Sequence, residues 1–124
     1  MRVMTFFLAA AFGVSCAPLQ GKEIHANPSA PVFAAGSLTC DKWVIAQATP
    51  DSSDARAQRY WVAGVMSAYN IYVAPEGFNI GKGVTPGDLG AWMTTRCSDH
   101  PSETIGQAAQ AFIRNLEERQ KEKP

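Results

Sequence analysis

An all-α fold, a small bundle of about four helices stapled by one disulfide, follows from three observations on the 124-residue sequence. Apolar residues recur at helical spacings of three and four in successive stretches. Between those stretches lie clusters of Ser, Thr, Asp and Pro that stop one helix and cap the next. The opening residues direct the chain out of the cytoplasm, which gives two later cysteines an oxidising environment.

The element order begins with that export signal. Arg2 supplies a positive n-region, and "VMTFFLAAAFGV", residues 3–14, is an apolar run of secretory length that is too short to span a bilayer. Residues 1–21 therefore read as a signal peptide, cut somewhere between 15 and 21, and the mature chain as periplasmic or secreted. Two routes compete. A general signal peptidase can cut near Ala17 to Gly21, or "GVSC" acts as a degenerate lipoprotein signal that makes Cys16 a candidate lipidated, membrane-anchored first residue. Mass spectrometry of the mature N-terminus separates them.

Either route removes Cys16 from a count of three, leaving Cys40 and Cys97 as an even pair. The default for such a pair after export is a disulfide. The two lie 57 positions apart, a loop whose closure is worth roughly 4 kcal/mol in the chain-entropy account.

Residues 22–37 hold Pro28 and Pro31 among small and polar residues without an apolar period, and read as an extended leader. His25 within it is expected to be a solvated linker residue rather than a ligand. The helical domain is expected over 38–118. Its first helix, in "SLTCDKWVIAQA", has Ser37 or Thr39 as cap and Cys40, Trp43, Val44 and Gln47 on one face. The second, residues 55–74, sets Ala57, Trp61, Gly64, Val65, Ala68, Ile71 and Tyr72 on one stripe, with Gly64 and Ala68 forming a small-residue groove for a neighbouring helix. "PEGFNIGKGVTP", residues 75–86, is the longest irregular stretch and reads as a flexible connection. Phe78, Asn79 and Lys82 are its candidate partner contacts. The third helix opens with Thr85 as cap, Pro86 at its first position and Asp88 closing a near capping box; Leu89, Trp92, Met93 and Arg96 share its face. The fourth is expected to open at Pro101 with Glu103 in its first turn, and carries Ile105, Ala108, Ala109, Phe112, Ile113 and Leu116 inward. Residues 119–124 read as a charged, frayed tail.

Little in this chain looks reactive. "TRCSDHP", residues 95–101, gathers Cys97, Asp99 and His100, but a zinc site needs about four ligands, and a disulfide consumes the thiol that a nucleophile needs. Asp99 and His100 are better explained as capping and turn residues. The glycine-rich loop departs from a phosphate cradle: three residues instead of four separate Gly77 from Gly81, and Gly83 stands where Ser or Thr would meet magnesium. No serine has a nucleophile-elbow context. No cofactor, metal site or catalytic residue is expected. With 11 acidic and 11 basic residues, nothing favours nucleic acid as a partner. Trp43, Trp61, Trp92 and Phe112 are expected as core aromatics rather than a ligand cage.

Taken together, "TCDKW", "YWVAGVMSAYN" and "VTPGDLGAWMTTRCSDHPSETIGQAAQAFIRNL" resemble two groups of small exported helical proteins. These are the HdeA/HdeB acid-stress chaperones and the Tai/Rap-type immunity proteins of type VI secretion. The likeness spans about residues 38–117 and is carried by Cys40, Trp43, Trp61, Gly64, Asn70, the "VTP" turn, Trp92 and Cys97. It implies a four-helix periplasmic domain with one disulfide, commonly dimeric and without a catalytic site. The proline-rich leader and the glycine-rich loop depart from that pattern. The expected role is a protein-binding module that binds or inhibits another envelope protein or toxin; the alternatives are an acid-stress chaperone or an accessory lipoprotein of an envelope machine.

Overall fold

The computed structural model of the chain describes residues 32–122. The signal peptide, Cys16, His25 and the start of the leader lie outside the described residues. Among the described residues, the regular structure is a 3-10 turn at Ala34–Ser37 and four helices, α1 (Cys40–Gln47), α2 (Ser53–Tyr72), α3 (Pro86–Asp99) and α4 (Ile105–Lys121). No helix among them is long and apolar enough to cross a membrane. The chain is a small all-α bundle, and Cys40 and Cys97 are bonded at its centre with their Cα atoms 4.7 Å apart. Both cysteines are fully buried.

Local chemistry accounts for most helix boundaries. Ser52 caps α2 by accepting a hydrogen bond from the Ala55 N–H at 3.1 Å. Thr85 and Asp88 close a full capping box at the start of α3, with Pro86 at its first position. α4 begins later than the sequence suggests. Thr104, not a residue before Pro101, is its cap, and Gln107 completes a capping box; Pro101 and Glu103 belong to the preceding turn. The competing signal was Pro101 itself, because a proline that fits a first helical turn fits a loop equally well. At its other end α4 runs to Lys121, so part of the expected tail is helical.

The core is built on Trp43, Val62, Met66, Leu89, Met93, Ile105 and Phe112 around the disulfide. α4 contributes the regular face expected of it, with Ile105, Ala108, Ala109, Phe112 and Leu116 all buried. Full burial of each large side chain stabilises by about 1.5–3 kcal/mol, more than propensity alone supplies. The α1 start is tied to the α3–α4 turn beside the staple. Cys40 N–H donates to the Glu103 carbonyl at 2.7 Å, and Ile105 N–H to the Leu38 carbonyl at 2.8 Å.

Two expectations need correction. α2 turns Ala55, Gln58, Val62 and Met66 into the core, whereas Ala57, Gly64, Ala68, Ile71 and Tyr72 are exposed. Of the expected stripe only Trp61 and Val65 pack against the core, both half-buried. Gln58 is buried with Ala55, Val62 and Met66, its amide donating to the Lys42 carbonyl at 3.3 Å, a polar contact that apolar periodicity does not register. The leader, in turn, is not extended to its end. Gly36 is buried beneath the Trp61 indole, where an added Cβ would lie 2.0 Å from a ring carbon. That close approach requires glycine.

Candidate functional site

The loop between α2 and α3 is ordered rather than a flexible connection. Its backbone folds on itself, with Lys82 N–H donating to the Asn79 carbonyl at 3.1 Å and Val84 N–H to the Gly81 carbonyl at 2.9 Å. Gly77 and Gly83 sit at φ of 78° and 76°, the left-handed region that glycine enters without strain. The anchor is Ile80, fully buried in the core cluster. Asn70 of α2 clamps it from one side, its side-chain carbonyl accepting from the Ile80 N–H at 2.8 Å and its amide donating to Asn79 Oδ1 at 3.0 Å. Gln120 of α4 clamps it from the other, donating to the Asn79 and Ile80 carbonyls at 3.2 and 3.1 Å.

The candidate contact residues take different places on this loop. Lys82 is exposed. Asn79 is exposed, yet its side-chain oxygen is engaged by Asn70 and by the Gly81 N–H. Phe78 is half-buried, tilted against Tyr69 with ring centroids 6.5 Å apart. The Tyr69 hydroxyl donates to the Glu117 carboxylate; burial first, then that bond, pushes the phenol up to about 12.

Where the loop enters α3, an open cleft of about 540 Å³ begins, within the size range of small-molecule sites. Its walls include Val84, Asp88, Trp92, Arg96, His100 and Arg119. Trp92 is half-buried and lies over Phe112 with centroids 5.0 Å apart, forming an apolar floor. Arg96 is held in place by Glu103 through two bonds of 3.0 and 2.6 Å. This bidentate pair holds the Glu103 carboxyl below the usual carboxylate range and raises the Arg96 guanidinium. At the opposite wall, the Thr85 backbone and side chain keep the Asp88 carboxylate low, with Arg119 adding a weaker attraction. The cleft therefore offers an apolar floor between fixed charges of both signs.

The remaining predicted site residues are structural. Trp43 is fully buried and donates from Nε1 to Thr94 Oγ1 at 3.0 Å. Trp61 and Trp92 are only half-buried, at the margin of the core. Asp99 ends α3 and His100 is its C-cap, both exposed, while Cys97 beside them faces the core. Sequence reasoning missed Ile80 and Gln120. Ile80 was the only aliphatic side chain between Phe78 and Val84, a signal available in the sequence; Gln120 lay in what read as a frayed tail.

No family model, curated protein or solved structure matches the chain, so the functional reading rests on its own geometry.

Proposed function

We propose that the chain is an exported, non-catalytic protein-binding module that docks on another envelope protein through the 75–84 loop and the adjoining cleft, as an immunity or inhibitor protein does. One observation carries this reading. The loop is clamped from beneath by Ile80, Asn70 and Gln120, so its outward side is already ordered before any partner arrives. A pre-organised contact surface avoids the ordering entropy that a mobile loop loses on binding. Capture from an envelope extract with the purified mature chain tests it. One stoichiometric partner is expected, and reversing two surface charges together, Lys82→Glu with Arg119→Glu, is expected to weaken it by roughly tenfold or more at an unchanged circular dichroism spectrum. No such partner, or one indifferent to both reversals, defeats the proposal.

A second reading, an acid-stress chaperone, is favoured by where the low-lying carboxylates sit. Asp41 is at the start of α1 and held low by the Thr39 hydroxyl, Asp88 closes the α3 cap, and Glu103 ties the α3–α4 turn to Arg96. Protonating all three loosens three junctions at once, while the mature chain becomes strongly cationic. Suppression of client aggregation at pH 2 to 3 is the test; unchanged aggregation removes this reading.

A further inference from the structure

A second cleft opens where the last turns of α2 and α4 meet the 75–84 loop. It measures about 430 Å³ and is lined by Tyr69, Pro75, Phe78, Glu117, Gln120 and Lys121. Tyr69 and Phe78 are half-buried and pack against the core cluster, their rings tilted by 57°, so both are fixed while part of each ring still faces the cleft. The Glu117 carboxylate stands beside them. Its Oε1 accepts from the Tyr69 hydroxyl, and among the described residues its Oε2 accepts nothing. The other walls are also held by bonds within the fold: Phe78 N–H donates to the Pro75 carbonyl at 3.0 Å, and Gln120 is bonded to the Asn79 and Ile80 carbonyls.

We propose that this second cleft receives one arginine side chain, offered by the protein that docks on the loop. The inference rests on the reading of the 75–84 loop as a docking surface and names the chemistry that surface recognises. The negative face of an aromatic ring attracts a cation, and a guanidinium, planar and weakly hydrated, stacks on such a ring where a compact ammonium does not. A carboxylate oxygen beside the rings then completes a charge-assisted hydrogen bond. An apolar side chain in the same place covers the rings but buries the Glu117 charge without a partner, which is costly, and an acidic one is repelled by it. The cleft has one cation of its own. Lys121 lies one helical turn after Glu117 and is exposed, and among the described residues the two form no ion pair. Pairs of that kind on a helix surface are weak, so Lys121 competes with an incoming guanidinium without excluding it.

Ring-proton shifts of Tyr69 and Phe78, followed by NMR on the purified mature chain, test the proposal. The probe is N-acetylarginine amide, and N-acetylcitrulline amide, its uncharged isostere, is the control. Saturable shifts are expected with the arginine probe, and binding weaker by roughly threefold or more with the citrulline one. Glu117→Gln keeps an acceptor for the Tyr69 hydroxyl and is expected to weaken the arginine probe by roughly threefold or more, whereas Lys121→Gln is expected to strengthen it. Effects of opposite sign one turn apart on the same helix do not arise from a loss of folding. An arginine probe without saturable shifts, citrulline bound as tightly as arginine, undiminished affinity in Glu117→Gln, or weaker binding in Lys121→Gln overturns the assignment. Probe binding with the expected signs but no captured partner defeats the docking reading and leaves the arginine site standing. A captured partner whose affinity ignores Glu117→Gln does the reverse.

Discussion

Gly36 and Ile80 each do more than their size suggests. Because a Cβ at position 36 would lie 2.0 Å from the Trp61 ring, Gly36→Ala is expected to destabilise by about 1–3 kcal/mol through overpacking, measured by chemical denaturation. Ile80→Ala is expected to lose about 2–5 kcal/mol, while Lys82→Ala two positions on stays within about 0.5 kcal/mol. That contrast checks directly that the loop is an anchored structure. Neither residue belongs to a periodic segment: Ile80 is marked in the sequence only as the lone aliphatic of its loop, and the close approach at Gly36 has no sequence signal at all. Tyr69 makes a prediction at the alkaline end. Its ionisation is raised from 10.0 to about 12 in the fold, so the stabilisation linked to it is complete below pH 10 and lost as pH rises from 10 toward 12. Thermal melts of the parent and Tyr69→Phe should converge over that interval.

Among the elements, α3 and α4 were the most legible. A Thr-Pro pair followed by Asp88, and six apolar positions in an unbroken 3-4 rhythm, are local signals that tertiary packing did not override. The α4 boundary was less so, and Thr104→Ala tests it: loss of about 1 kcal/mol is expected if Thr104 is the cap, whereas Ser102→Ala should have little effect. The core-facing side of α2 differs from the stripe its spacing suggests, which shares only Trp61 and Val65 with the core margin, because apolar residues lie all round this helix. Apolar periodicity alone cannot choose between the two, and it does not register a buried polar residue such as Gln58 with its Lys42 carbonyl partner. The small-residue groove at Gly64 and Ala68 was visible in the sequence, but its direction, away from the core, was not.

For the molecule as a whole, the covalent tie adds to the packed core, and the carboxylates shape the response to acid. Replacing both Cys40 and Cys97 by Ala is expected to lose about 2–4 kcal/mol by equilibrium unfolding, a large share of what a domain of this size has. The acid response has a definite sign. Asp41, Asp88 and Glu103 all ionise below their ordinary values of 3.8, 3.8 and 4.5 in the fold. The stability they contribute is present above those values and disappears as pH falls through the lower folded ones. The melting temperature should therefore hold near neutrality and decline below about pH 4.5, with Glu103→Gln flattening part of the slope.

The position of the staple divides the chain unequally. The bond from Cys40 to Cys97 encloses α1, α2, the clamped loop and α3 in a single closed ring, whereas α4 hangs outside it and is retained by packing and hydrogen bonds alone. Among the four helices, α4 is thus the one whose opening the bond does not restrain, and that opening would uncover its Phe112 and Leu116 side and release the Gln120 clamp together. Amide hydrogen exchange should then protect the ring longest and α4 least, so that opening begins at the carboxyl end and leaves a linked three-helix remnant.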